Sequence, residues 1–403
     1  MTRLLFVDDE DRVLDGLQRM LRPMRHEWDM RFVTSGGVAL QSLAQTPFDV
    51  VVSDMRMPGM DGAQFLKEVQ ARFPQVVRMV LSGHSDQNMI EQSRNATHLY
   101  LAKPCPPEVL KATITRVCHL KALLADEGLR GLVAGMSNVP TSPLLYRELT
   151  RELATASPSM KTITAIIAKD LGMTAKILQI VNSTYADRCD LVATAAQATS
   201  LLGLDTICSM VRIEGGCSVL TDRAGACLNF ERLWEKSLET GALARVIAQA
   251  EQASPQMVDQ AGTAGLLHEI GALILAGHAT ERFTEARSLS KEHRLPLWVA
   301  EQQVFGNTHA EVGGYLLGLW GLSEPIVTAV AYHHAPSRYA ESGFCPLTAV
   351  HVADSLQREL ASTAYVDAPA QLDMAYLSRL GLTERLPAWR EAAAAWHKEH
   401  AHE

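Results

Sequence analysis

Phe48-Asp49-Val50-Val51-Val52-Ser53-Asp54-Met55-Arg56-Met57-Pro58-Gly59 is an apolar run that stops at an aspartate and passes into turn residues. A strand with one wet face alternates apolar and polar side chains; a continuous run this short reads as a strand buried on both faces. Outward from it the theme repeats. Leu4–Val7, Met30–Val33, Val76–Leu81 and Leu99–Ala102 are similar runs. Segments of helical spacing lie between them, among them Val13/Leu14/Leu17/Met20/Leu21 and Phe65/Leu66/Val69/Phe73. Strict alternation of five strands with five helices over residues 3–125 predicts an α/β domain, a parallel sheet with helices on both faces.

In an open parallel sheet, reactive groups collect outside the carboxyl ends of the strands. Here the first strand ends in Asp8-Asp9, the third in Asp54, the fourth in Ser82 and the fifth in Lys103-Pro104. Three carboxylates at one rim repel one another unless a cation sits among them. Mg²⁺, which prefers oxygen donors and retains some water, suits two or three carboxylates and a backbone carbonyl. Lys103 adds a mobile positive charge for an anion, and Ser82 a hydroxyl. Read as helix caps, the aspartates would need no serine and lysine at the matching strand ends.

The fifth helix is expected from about Pro106-Pro107 to Asp126, with Val109, Leu110, Ile114, Val117, Leu120 and Leu124 as a broad apolar stripe. It reads either as an extended connector, serving as strut or dimer seam, or as an ordinary amphipathic last helix. Gly128, Gly131 and Gly135, then Ser137-Asn138-Val139-Pro140, mark a linker over 126–135. From 136 to 403 the pattern is almost wholly helical, with starts at Ser159, Asp170 and Pro325 and two lobes over 136–225 and 228–403.

The second half is rich in histidine: Leu267-His268-Glu269, Thr308-His309-Ala310-Glu311, Tyr332-His333-His334 and His351-Val352-Ala353-Asp354. Glu301, Phe305, His309, Val312 and Leu316 fall at the spacing of one helix face. Imidazoles and carboxylates converging from several helices are able to ligate divalent ions. The competing reading makes them satisfied core groups and helix ends.

Composition narrows the class. With 47% apolar and 20% charged residues the chain reads as globular. No apolar stretch is long enough to span a bilayer, and the start meets Asp8-Asp9-Glu10-Asp11 too soon for a signal-peptide core. The seven cysteines (Cys105, Cys118, Cys189, Cys208, Cys217, Cys227, Cys345) form no Cys-x-x-Cys pair, which points to reduced thiols and a cytoplasmic chain. A net charge of −8 gives no reason to expect nucleic-acid binding.

Four stretches, in order and in register, resemble the receiver domain of bacterial response regulators: Phe6-Val7-Asp8-Asp9-Glu10, Ser53-Asp54-Met55-Arg56-Met57-Pro58-Gly59-Met60-Asp61-Gly62, Leu81-Ser82-Gly83 and Tyr100-Leu101-Ala102-Lys103-Pro104. The resemblance implies a flavodoxin-like (βα)5 fold over residues 1–125, with Asp54 accepting a phosphoryl group from a sensor histidine kinase. It implies Mg²⁺ on Asp9, Asp54 and the Arg56 carbonyl, with Asp8 assisting. Ser82 and Lys103 would bind phosphoryl oxygens, Tyr100 would turn inward, and a cis Lys103-Pro104 bond is expected. Arg56 and His84 occupy positions that tune how long the phosphoryl group survives; both are bulky, which implies a lifetime of minutes or longer.

The second half resembles the HDOD domain, an all-α output module related to metal-dependent HD phosphohydrolases. The resemblance rests on the stretches around His268, His309, His333 and Asp354, on Asp170 to Ser183, on Ser200-Leu201-Leu202-Gly203-Leu204, and on Leu233-Trp234-Glu235-Lys236-Ser237-Leu238. Position by position the hydrolase ligands are altered. Lys236 stands where the hydrolases have a histidine, and His268-Glu269 replaces the His-Asp pair. His309, His333, His334 and Asp354 are retained, while a Gly-Tyr-Pro triplet is missing. The expected function is therefore a phosphorylation-controlled response regulator, a homodimer, whose non-catalytic HDOD domain signals to a downstream protein or a nucleotide ligand. The alternative is a metal-dependent phosphodiesterase acting on a cyclic nucleotide or dinucleotide, with divalent metal in the HD-like site.

Overall fold

The computed structural model describes residues 1–83, 96–184, 191–213, 228–360 and 372–400, with the side chains of 184, 209, 210, 212 and 213 left aside. The chain divides into two compact units. One contains Met1–Ser137, and the other contains most of the remainder from Asn138.

Unit one is built on β1 (Thr2–Val7), β2 (Trp28–Val33), β3 (Val50–Asp54), β4 (Val77–Ser82) and β5 (Leu99–Ala102). They form one parallel sheet in the order β2-β1-β3-β4-β5. This is the doubly wound order whose switch point lies between β1 and β3. The helices around it are α1 (Asp11–Leu21), α2 (Gly36–Gln45), α3 (Gly62–Arg72) and α4 (Pro107–Lys121). The helix expected between β4 and β5 falls on residues outside those described. The central strands are apolar throughout because both faces are covered: Leu5, Val51 and Val80 are inaccessible to solvent and pack with Phe65, Leu66 and Val69 of α3. The Lys103-Pro104 peptide bond is cis.

The segment expected as a linker differs. The last receiver helix stops at Lys121 rather than running to Asp126, and Glu127–Gly135 forms a further helix, α5. The side chain of Asp126 caps it by accepting from the Leu129 N–H, a local signal that outweighs the glycines at 128, 131 and 135. Within this unit α5 is anchored by a buried arginine on β4. Arg78 is 1% exposed, and its guanidinium donates to the carbonyls of Ala96 (2.6 Å), Val76 (3.0 Å), Pro74 (3.1 Å) and Ala134 (2.7 Å).

Unit two is helical: α6 (Pro143–Leu153), α7 (Met160–Ile167), α8 (Leu171–Thr184), α9 (Ala195–Ile213), α10 (Phe230–Ala250), α11 (Pro255–Leu267), α12 (Ile270–His278), α13 (Thr280–His293), α14 (Leu297–Phe305), α15 (His309–Leu319), α16 (Glu324–Tyr332), α17 (Pro346–Leu360), α18 (Met374–Arg379) and α19 (Leu386–His400). Ser159 and Asp170 are helix caps, as their sequence positions suggested. The cap at Asp170 is buried: its carboxylate accepts from the N–H groups of Ser142 (2.7 Å) and Met173 (2.7 Å) and from the Trp234 indole (3.1 Å). Glu301 and His309 do not share a helix. Gly306, at φ 66°, ends α14 in a left-handed cap that a side chain would strain, and α15 starts afresh at His309.

Candidate functional site

In unit one the strand ends bring the sequence-predicted residues to one rim. Asp8 is buried at 3% exposure, with one carboxylate oxygen accepting from the Glu10 N–H at 3.0 Å. Its other oxygen meets the Lys103 ammonium at 2.9 Å. That ammonium also bonds Asp54 Oδ1, while Asp54 Oδ2 accepts from the Arg56 N–H at 2.7 Å. Lys103 thus bridges β1 and β3 from the end of β5. Burial alone would lower its pKa, but the two carboxylates override that and raise it, so the ammonium stays charged. Asp9 is exposed beside Asp8, Ser82 is buried at the end of β4, and Tyr100 is turned inward at 5% exposure. His84 lies outside the described residues. The donors at this rim are all oxygens, a set that fits a hard ion such as Mg²⁺.

In unit two the histidines and carboxylates converge from the C-terminal ends of α11 and α16 and from α14, α15 and α17. His268, Glu269, Glu301, His309, His333 and Asp354 are each 8% exposed or less. Close backbone approach makes this feasible: a Cβ on Gly271 would sit 1.9 Å from the His309 carbonyl oxygen, so only glycine lets α12 lie against the start of α15. Each imidazole is oriented from behind. His309 Nδ1 meets Glu301 Oε2 at 2.6 Å, and the same oxygen takes the His309 N–H at 2.8 Å. His268 Nδ1 donates to the Gly265 carbonyl (2.6 Å) and His333 Nδ1 to the Val330 carbonyl (2.8 Å). Those bonds fix the tautomer and leave Nε2 of both rings as bare acceptors, buried and without a hydrogen-bond partner.

Lys236 enters this cluster from α10. Its ammonium bonds Glu269 Oε1 and sits 2.9 Å from Asp354 Oδ1. Arg358 approaches Asp354 Oδ2 at 3.1 Å. Burial would raise both acids, but Lys236 holds Glu269 well below the usual carboxylate range, and Arg358 with Lys236 does the same for Asp354. Burial pushes His333 and His334 well below 6.5. For His309 burial works the same way, but Glu301 and Glu269 reverse it and raise the ring.

Two family models match the chain, the response regulator receiver domain over residues 4–115 and the HDOD domain over residues 139–336. The chain is a response regulator with an HDOD domain. The hydrogenase transcriptional regulatory protein HoxA of Cupriavidus necator is 34% identical over 155 residues, 38% of this response regulator and 31% of HoxA. An uncharacterized protein of Treponema pallidum is 25% identical over 232 residues, covering 56% of this chain and 42% of that one. The chain therefore spans less than half the length of these curated relatives. Among solved structures, the MmoQ response regulator of Methylococcus capsulatus is 21% identical with a TM-score of 0.46, over 63% of this chain and 98% of MmoQ.

For this response regulator, sequence reasoning picked out the receiver rim and the residue types of the second cluster. It missed the pairing of Glu301 with His309, the Arg358 contact to Asp354 and the Arg78 anchor. Among the described residues no helix is long and apolar enough to cross a membrane.

Proposed function

We propose that this response regulator is switched by transfer of a phosphoryl group from a histidine kinase to Asp54. The observation that carries it is the Lys103 ammonium bridging Asp8 and Asp54 at the rim where the strands end. An Asp54 carboxylate oxygen attacks phosphorus, the P–N bond to the kinase imidazole breaks, and an acyl phosphate forms. Before transfer Lys103 neutralises the Asp54 carboxylate; afterwards the same ammonium pairs with a phosphoryl oxygen, and Ser82 donates its hydroxyl to another. Asp8, Asp9, Asp54 and the Arg56 carbonyl would hold Mg²⁺, which when bound neutralises phosphoryl charge. Arg56 and His84, bulky residues two positions after Asp54 and Ser82 in the sequence, would limit hydrolysis and give a phosphoryl lifetime of minutes or longer.

The HDOD domain is then a non-catalytic output module that passes the signal to a downstream protein or nucleotide ligand, in a cytoplasmic homodimer. Its support is Lys236, whose ammonium engages the two carboxylates a metal-dependent hydrolase would need for its ions. The test is intact-mass spectrometry of the full chain incubated with Mg²⁺ and a small phosphoryl donor such as acetyl phosphate. One phosphoryl group should appear on wild type and none on Asp54→Asn. Equal labelling of the variant, or none of wild type, overturns the reading, and decay of the wild-type label within seconds overturns the long lifetime.

A further inference from the structure

The second cluster contains more cation-seeking groups than its own cations satisfy. Three buried carboxylates, Glu269, Glu301 and Asp354, face two fixed positive charges, Lys236 and Arg358, so one negative charge is left over. Nε2 of His268, Nε2 of His333 and Oε1 of Glu301 are buried acceptors with no donor. Burying such groups is costly unless a proton or a cation meets them.

The geometry separates the cluster into two halves. In one half His268, Glu269 and Asp354 present ligand atoms within 4.8 Å of one another. His268 Nε2 lies 3.6 Å from Glu269 Oε1 and 3.5 Å from Asp354 Oδ1, the same two oxygens that the Lys236 ammonium engages. The lysine nitrogen therefore already stands between those carboxylates. In the other half one ring nitrogen each of His309, His333 and His334 lies within 4.8 Å of the other two. His309 Nε2 is 3.0 Å from His334 Nε2 and 3.4 Å from Glu269 Oε2. Donors bonded to one ion at roughly 2.0–2.2 Å stand about 3–3.5 Å apart, so these separations fit a shared coordination sphere. The outward Nδ1 bonds of His309 to a carboxylate and of His333 to a carbonyl are the orientation that presents Nε2 to a metal.

We infer that His309, His333 and His334, with Glu269 Oε2, form a mononuclear site for one divalent transition-metal ion, and that Lys236 occupies the neighbouring cation position and limits the cluster to that single ion. Three imidazoles and one carboxylate select an ion of the Fe²⁺ to Zn²⁺ series over Mg²⁺ or Ca²⁺. The ion ties α15 and α16 to the start of α12 and more than offsets the one negative charge left over. Its role is to hold the output domain together, which sits alongside a non-catalytic output and does not depend on the receiver chemistry.

The test uses the full chain, stripped with a chelator and reloaded with Co²⁺ or Zn²⁺, with bound metal measured after gel filtration. Wild type should retain one ion per chain and melt at higher temperature when loaded. Its Co²⁺ form should show visible d–d bands without thiolate charge transfer. His333→Ala should lose the ion, and Lys236→His, which supplies an imidazole in place of the ammonium, should retain two. Circular dichroism establishes that each variant is folded; should His333→Ala fail to fold, His334→Gln takes its place, and the wild-type cobalt spectrum stands on its own. No retained ion in wild type, an ion that survives His333→Ala (held, for instance, by His397 and His400), or a thiolate band each overturns the site. A single ion in Lys236→His overturns the role given to Lys236.

Discussion

Replacing Arg78 by methionine should free α5 from the receiver, and the structure sets the size of the effect. Arg78 lies on β4 at 1% exposure, and its guanidinium donates to four carbonyls. Three belong to the neighbouring backbone, and the fourth, on Ala134, lies in the last turn of α5, where helix carbonyls lack intrahelical partners. His98 reinforces the anchor. Its Nδ1 accepts from the Arg78 N–H at 2.9 Å, so Nε2 carries the proton and donates to the Ala134 oxygen at 2.8 Å. Burial, and then the Arg78 charge, depress the His98 pKa well below 6.5, which keeps the ring neutral and that tautomer in place.

Methionine preserves length and apolar contact but donates nothing. A buried hydrogen bond to a charged donor contributes about 1.5–3 kcal/mol. Losing those to Ala96 and Ala134, whose residues are 2% and 0% exposed, removes roughly 3–6 kcal/mol. For a domain of this size that is a fall in Tm on the order of 10 °C. Hydrogen exchange monitored by mass spectrometry locates the change: amides of 127–135 should lose protection beyond the general increase, because α5 has lost its charged anchor. Unaltered α5 protection with a Tm within about 1 °C of wild type would refute the reasoning.

Three further perturbations bear on the two sites. Lys103→Met should slow phosphorylation by acetyl phosphate about 100-fold, the scale of losing one preorganised charge at a reacting oxyanion, as read by the rate of mass increase; a near wild-type rate rejects the role of Lys103. Asp170→Ala strands two backbone N–H groups and the Trp234 indole and should cost about 2–4 kcal/mol in urea unfolding. Burial raises the Asp170 pKa to about 6 from 3.8, its hydrogen bonds only partly opposing this. The folded state therefore holds the proton more tightly, and the wild-type carboxyl loses stability as pH rises from about 4 to about 6; this slope should vanish in the variant. His98, His333 and His334 have depressed folded pKa values, so each contributes stability above about 6.5 that is lost as pH falls below it. His309, raised by Glu301 and Glu269 against its burial, acts oppositely. His278 and His351 are depressed by burial as well, so five rings outweigh His309 and Asp170 and predict a falling Tm in metal-free protein between about pH 7 and 5; a flat or rising Tm would contradict that balance.

The receiver rim was legible in the sequence because a parallel sheet converts linear order into position. Once Val50–Asp54 is a buried strand, Asp8, Ser82 and Lys103 must share its carboxyl end, whatever the helices do. No such rule relates His268 to Lys236 or Asp354. They come from α10, α11 and α17, and only packing decides that they meet. Glu301 shows the limit most clearly. Helical spacing placed it on one face with His309, yet the left-handed turn at Gly306 folds α14 back so that its carboxylate takes both the backbone and the ring N–H of His309. Arg78 was hidden for a different reason: inside an apolar run it counts as a break in the pattern, while its partners are carbonyls, which every sequence carries.

The two units meet the same electrostatic problem with the same residue type, and the groups that surround each lysine separate their chemistry. In each, one lysine bridges two carboxylates that would otherwise repel: Lys103 between Asp8 and Asp54, Lys236 between Glu269 and Asp354. At the receiver rim the lysine side chain is 31% exposed and Asp54 12%, beside an exposed Asp9, so an incoming phosphoryl donor can reach the carboxylate and take over the ammonium. In the helical unit Lys236 is 20% exposed and its carboxylates, at 10% and 7%, are as buried as Asp8 and Asp54, but the remaining walls are imidazoles aimed inward by their Nδ1 bonds. An anion entering there would meet buried carboxylates and bare imidazole lone pairs, and only a cation lowers the energy of both. The first arrangement is therefore built to exchange its partner, and the second to keep one.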